Sequence, residues 1–337
     1  MKQLVKLSVA SLLVVGALAV QAGTLADVQA KGSVTCGVSK GLAGFSAADS
    51  SGTWTGIDVD VCRAVAAAVL GDADAVNYIS LNAVERFTAL QSGEVDVLSR
   101  NTTWTTTRDT TLGLNFTGVT FYDGIGFMVN KDLGISSADE LDGAAICIQS
   151  GTTTELNVAD YFRANGMEFD PIVFDTSEQT VGGFQAGRCD VLTSDTSQLA
   201  ALRIQLDDPA SAMILPDIIS KEPLGPVVRQ GDDEWFNIVK WSLFAMINGE
   251  EYGITSENVD EMLNSDNPDI ARLLGQDGNY GEGMGLEADW AYNILSQVGN
   301  YGESFDRNVG MGSPLEIERG INALWTQGGI QYAPPIR

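Results

Sequence analysis

The sequence predicts an α/β fold made of two similar units, on three observations. Short apolar strands alternate with amphipathic helices, the order β-α-β-α-β occurs twice, and extended segments separate the copies. Alternation of this kind implies largely parallel sheets with helices on their faces.

The first unit starts with an apolar run at 33–38. A helix follows at 57–70, with Val61, Val65, Ala68 and Val69 at helical spacing and Gly71 as its stop. Residues 76–79 read as a strand. Residues 83–92 read as a helix with Phe87 and Leu90 inward, stopped by Gly93, and 95–98 as a strand. In the second unit, 144–149 is a strand. Residues 152–165 are a helix opened by Thr152-Thr153-Thr154-Glu155, which has capping-box spacing. A strand at 172–174, a helix at 176–186, a strand at 189–193 and a helix near 197–206 complete it. Residues 122–131 and 216–228 read as extended crossovers. The remainder reads as helical, at 235–247, 256–263, 288–298 and 314–325, and as returning to the first unit.

Residues 1–22 read as an export signal. Lys2 and Lys6 give a basic start, 7–19 is an apolar run short for a bilayer span, and Val20-Gln21-Ala22 offers the small residues cleavage requires. The mature chain is expected to begin near Gly23, soluble in the periplasm. No cysteine follows the apolar run, so a lipid anchor is not expected. The full chain carries a formal charge of -26; losing Lys2 and Lys6 and no acids takes it to -28. Charge of that sign opposes nucleic acid and anionic membranes.

The chain has no histidine, so the commonest general base and metal ligand is missing. Neither a metal nor a cofactor is expected. Cys36, Cys62, Cys147 and Cys189 form an even set in an oxidising compartment, which favours two disulfides. Three pairings are possible; Cys36–Cys62 with Cys147–Cys189, one per unit, is the favoured one. Glycines at 281, 283 and 285 follow no strand, so a nucleotide loop is not inferred.

In open α/β sheets, ligands sit beyond the carboxyl ends of the strands. Three such ends carry suitable groups. Asn101, Thr103 and Arg108 follow one strand, and a guanidinium fork fits a carboxylate bidentately. Thr153 stands where a helix begins, and free backbone N–H groups there favour an anion. Asp195 follows the strand carrying Cys189 and can pair with a cation. An anion clamp beside a cation partner suits the α-carboxylate and α-ammonium of an amino acid. Taken singly, Arg108 could be a surface residue, and Thr153 and Asp195 helix caps.

At this point the chain resembles the periplasmic solute-binding proteins of polar amino-acid ABC importers (family 3), and among them the general L-amino-acid binders. The resemblance covers nearly the whole mature chain. It rests on Gly56-Ile57-Asp58-Val59-Asp60, on residues 89–96, on the turn from Asn101 to Asp109, on residues 149–155 and on the closing residues 331–337. It implies a two-lobed type II fold, with two parallel-dominated sheets joined by two crossover strands. Residues 23–123 would form the first part of lobe one, 124–221 lobe two, and 222–337 the return to lobe one with a helical extension. Arg108, Asn101 and Thr103 would hold the ligand from lobe one; Thr153 and Asp195 would do so from lobe two. The implied function is reversible capture of L-amino acids by a monomer that delivers them to an inner-membrane permease. The alternative is a dehydratase on the same scaffold, acting on prephenate- or arogenate-like acids, with Asp195 or Glu155 as the acid or base. Basic-amino-acid binders of the family carry an Asp just after the first strand and often an aromatic soon after. Here Ser39 and Leu42 stand in those places, so a roomy, promiscuous side-chain pocket is expected, with Phe45 and Trp54 as lining or core residues.

Overall fold

The computed structural model describes residues 23–337. The export signal expected at 1–22 lies outside the described residues. Two five-stranded sheets organise the molecule. In the first, the order is Val76–Ser80, Val34–Val38, Val97–Leu98, Val227–Arg229, Leu114–Phe116. In the second it is Asp170–Phe174, Ala145–Gln149, Val191–Asp195, Ile125–Asn130, Ala212–Ile214. Both sheets are mixed. The three strands of each β-α-β-α-β unit run parallel, and the crossover strand adds antiparallel pairings on one side. A crossover strand enters its sheet from the opposite end, so its direction opposes that of the unit it joins.

Between the sheets the chain passes twice. Phe121–Asp123 leads out and Glu222–Leu224 leads back, and the two pair antiparallel, with Glu222 opposite Asp123. This ribbon gives a two-lobed molecule with a cleft between the lobes.

The helix Ile57–Leu70 explains the rigidity of the first lobe. It is apolar nearly all round and buries eleven residues, as expected of a helix covered on several sides. It packs on the strand Val34–Val38 and against Asp233–Glu251 and Trp290–Gln297 from the tail. Gly71 ends it in the left-handed region, at φ 70°, its N–H donating to Ala67 O at 3.0 Å. Gly56 precedes it at φ 136°, where a Cβ would stand 2.0 Å from Phe45 O, so only glycine fits. The tail is tied to this helix through Asp60. Its Oδ2 accepts from Ser304, Arg307 and Asn308, each at 2.6 Å.

Two disulfides are present, Cys36–Cys62 and Cys147–Cys189, with Cα atoms 6.2 and 5.6 Å apart. Each joins elements of one sheet region. Among the described residues, no helix is long and apolar enough to cross a membrane.

Three helix assignments differ from expectation; the one expected at 256–263 is reduced to Val259–Met262. The segment 314–325 is no α-helix and holds only a 3-10 turn, Gly320–Asn322, before a second one opens at Trp325. Glu316 and Gly320 adopt positive φ, 51° and 48°, which a right-handed helix cannot accommodate. The apolar residues that mimicked helical spacing anchor a meander instead, with Leu315, Ala323 and Leu324 buried. The helix expected from 83 begins at Arg86, because Asn82 Oδ1 takes the N–H groups of Val84 and Glu85 and holds a turn there.

Candidate ligand-binding site

The turn after Val97–Leu98 is built to present Arg108. Asn101 takes φ 33°, a conformation asparagine tolerates better than most residues, and this swings the chain out of the sheet. Its N–H donates to Asp58 Oδ2 at 2.7 Å. Thr105 then caps the short helix Thr106–Thr110, its Oγ1 accepting from Arg108 N at 3.3 Å. The Arg108 side chain folds back, Nη1 donating to Thr103 O at 2.8 Å, with its guanidinium carbon 5.1 Å from the centre of the Phe87 ring. Arg108 is buried, which disposes of a purely surface role. Burial pulls its pKa down, while Glu222 and Asp195 pull it back up.

Across the cleft, Thr153 is the first residue of the helix Thr153–Ala164. The capping box expected there does not form. Thr152 Oγ1 donates backward to Gln149 O at 2.8 Å instead of capping, and Glu155 accepts from Gly151 N at 3.3 Å. Thr153 is not a cap either. Its hydroxyl donates to Glu222 Oε2 at 2.9 Å and lies 3.3 Å from the Thr103 hydroxyl, so Thr103 serves as donor across the lobes. No side chain caps this helix, so its first amides stay open. Gly151 permits the approach: at φ 71°, a Cβ there would meet Val84 Cγ2 at 2.9 Å.

Asp195 ends the strand Val191–Asp195 and stands at the start of the helix Thr196–Arg203, yet its side chain makes no capping bond. Asp123 performs the capping, accepting from Ser197 N at 3.3 Å and from the hydroxyls of Thr196 and Ser197. Among the described residues, no hydrogen bond reaches the Asp195 carboxylate, which is 6% exposed. Burial, with Asp123 and Glu222 nearby, holds its pKa well above the usual carboxylate range; Arg86 and Arg108 oppose the shift.

Arg108, Thr103 and Thr153 line one cleft of about 730 Å³ together with Phe87 and Glu222. Asn101 and Asp195 do not line it; both are buried. Asn101 is linked to the second lobe by Nδ2 donating to Gln198 Oε1 at 2.9 Å. Phe45 and Trp54 take core roles, packing on Phe121 and Tyr78 with ring centres 5.6 and 5.5 Å apart. Ser39 is buried and bonded to Ser46, and Leu42 is buried.

Several residues of the site have no signature in the sequence. Glu222 is one, accepting from Thr153, Asn157 and Ser220 at 2.9, 2.8 and 2.6 Å. Arg86 and Gln198 are others. Two signals were available: Asp58 falls in the Gly56–Asp60 segment that carries the resemblance, and Arg100 directly precedes Asn101 at the same strand end.

Residues 34–258 match the bacterial extracellular solute-binding proteins, family 3. The chain belongs to this family. Its match to the general L-amino acid-binding periplasmic protein of Rhizobium johnstonii is 62% identical and covers 97% of each chain. The glutamate/glutamine/aspartate/asparagine-binding protein of Rhodobacter capsulatus is 53% identical, covering 95% of each. A Brucella ovis periplasmic binding protein, solved with glutathione bound, superposes with a TM-score of 0.93 at 57% identity, covering 94% of this chain and all of that one. The family's two-lobed architecture is thus the frame in which the cleft stands.

Proposed function

We propose that this protein is the periplasmic receptor of an amino-acid ABC importer, one that captures L-amino acids of many kinds between its lobes. Its export signal would be removed near Ala22, and the loaded monomer would deliver its ligand to an inner-membrane permease. The relatives named for general amino acids and for glutamate, glutamine, aspartate and asparagine support the ligand class. In this reading, residues 23–123 and 222–337 form one lobe and 124–221 the other.

The observation that carries the reading is Asp195, a buried carboxylate that no described residue hydrogen-bonds, near enough to Arg108 for the two charges to act on each other. Arg108 and the Thr153 amides take the α-carboxylate. Thr103 and Asn101 border the ligand's core from the first lobe, and Asp195 takes the α-ammonium. A ligand touching both lobes favours the closed state by its differential contacts.

The role is binding, with no chemical step. Asp195 is committed to an ammonium, and Glu155 is exposed at the cleft's rim, accepting from Gly151. Calorimetric titration of ligand-stripped protein with a panel of L-amino acids, beside Arg108→Ala, tests the reading. Binding of chemically different amino acids that is lost in the variant is expected. Product formed from prephenate or arogenate would overturn it in favour of a dehydratase.

A further inference from the structure

The tail beyond residue 258, where the family match ends, grips the strand that leaves the first lobe. Three of its buried side chains bond that strand's backbone. Asn322 Oδ1 accepts from Tyr122 N at 2.7 Å, and Asn322 Nδ2 donates to Tyr122 O at 3.1 Å. Gln331 Nε2 donates to Val119 O at 3.1 Å, and the Tyr301 hydroxyl donates to Thr120 O at 2.8 Å. The Phe305 ring stacks on Phe121, with centres 5.8 Å apart. A strand edge presents N–H and C=O groups that ask for a partner. A carboxamide offers both an acceptor and a donor, so Asn322 takes the place a residue of a third strand would hold. On the other edge Tyr122 faces Pro223, which has no N–H.

The grip is anchored in the first lobe. Arg319 donates from Nε and Nη2 to Asn322 O at 3.3 and 3.1 Å, and its fork meets the Glu250 carboxylate at 3.0 and 3.1 Å. Glu250 belongs to Asp233–Glu251, which packs on Ile57–Leu70. Just past Tyr122 the ties pass to the second lobe. Gly124 O accepts from Thr196 N at 2.9 Å, and the Asp123 carboxylate caps the same helix. The returning strand changes over at the same level. The Glu222 carboxylate holds Thr153 and Asn157 of the second lobe, whereas Pro223 O accepts from Trp104 N of the first at 2.8 Å. Asp123 and Glu222 stand opposite each other in the ribbon. A single residue separates Tyr122 from Gly124, so bending is left to the backbone about Asp123 and Glu222.

We propose that the C-terminal tail is a strap: it clamps the outgoing hinge strand to the first lobe and confines lobe opening to a pivot through Asp123 and Glu222. This rests on the reading that the lobes close over a ligand. The affinity of such a receptor includes the free energy of closing, so a hinge with more open states binds more weakly. The strap acts on that equilibrium and touches no ligand. Loosening it therefore weakens every ligand by one common factor.

The test uses Asn322→Ala and Gln331→Ala, with Ile321→Ala, an exposed neighbour, as control. Spin labels at Glu94→Cys and Ala159→Cys, exposed on the first and second lobes, report inter-lobe distances, since the native cysteines are paired. Ligand-free Asn322→Ala and Gln331→Ala should show longer and broader distances than wild type. By calorimetry, L-glutamate and L-leucine should both weaken by about 3–10-fold, with their ratio unchanged. Unchanged distances, or an equal effect from Ile321→Ala, would overturn the strap. Loss of one ligand but not the other would place the tail's influence in the pocket and overturn it too. In wild type, hydrogen exchange should find the Tyr122 amide protected without ligand. Rapid exchange there would refute the clamp even if the substitutions prevented folding. If no amino acid binds, the receptor reading fails, while the ligand-free distances and the exchange still decide the strap.

Discussion

Asp123 caps the helix that Asp195 opens. Asp123 lies on the strand leaving the first lobe, and its Oδ1 accepts from the Thr196 hydroxyl at 2.6 Å. Asp195 occupies the N-cap position by sequence but contributes no capping bond. A residue from the hinge thereby satisfies the helix, and the carboxylate at the strand end is spared from capping.

Asp195→Asn should separate binding from stability. Affinity for every L-amino acid is expected to fall by about 2–5 kcal/mol, because an ammonium loses its buried partner. The ligand-free melting temperature should stay the same or rise, since a buried carboxylate beside Asp123 and Glu222 is removed. Asp123→Ala should instead lower it, by about 1 kcal/mol of stability or more. Calorimetry and thermal melts read the two effects independently.

Arg108→Lys should not rescue Arg108→Ala. The guanidinium donates to Thr103 O while lying against Phe87, and its fork can still meet a carboxylate bidentately. An ammonium is a point donor and cannot do both. Both variants are expected to lose about 2–5 kcal/mol of binding. Recovery of most of the affinity by lysine would mean that charge alone matters at this position.

The stability of the ligand-free protein should fall as pH rises from about 4 to about 7, in part through Asp58. Burial raises the Asp58 carboxyl from 3.8 to about 7, against the pull of the Asn101 N–H and Arg100. Its folded pKa exceeds the unfolded one, so the folded protein holds this proton more tightly. The contribution is full below about 4 and lost once pH passes about 7. A difference of that size corresponds to about 4 kcal/mol as an order of magnitude. Asp195 is shifted the same way, so the informative quantity is the difference between wild type and Asp58→Asn. Melts from pH 4 to 8 should show a shallower decline in the variant.

Reduction of the disulfides should destabilise each lobe separately. Cys36–Cys62 closes a span of 26 residues and Cys147–Cys189 one of 42. Loop entropy assigns them about 3.5 and about 4 kcal/mol. Cys147→Ala with Cys189→Ala should leave the first lobe's melting transition in place while lowering that of the second. Scanning calorimetry resolves the two.

Regular elements were legible where a local signal coincided with a tertiary one. Ile57–Leu70 was read to the residue because its apolar spacing ends at a glycine that takes the left-handed cap. Residues 314–325 misled because Leu315, Ile317, Ile321 and Leu324 repeat at roughly helical spacing, while positive φ at Glu316 and Gly320 cannot be seen in a spacing pattern.

The sequence by itself determined the two repeated units, the order of their strands and helices, and the strand ends where Arg108, Thr153 and Asp195 stand. These follow from local periodicity and from the position of a residue relative to its own strand. Only the tertiary structure decided which groups are free. Asp195 is free because Asp123, far earlier in the chain, does its capping, and Thr153 faces the cleft's far wall because Glu222 on the returning strand holds it. Nothing local to Arg86 announces that it is buried with its Nε unpartnered. Hydrogen-bond satisfaction depends on every neighbour in space, and no local pattern in a chain encodes that sum.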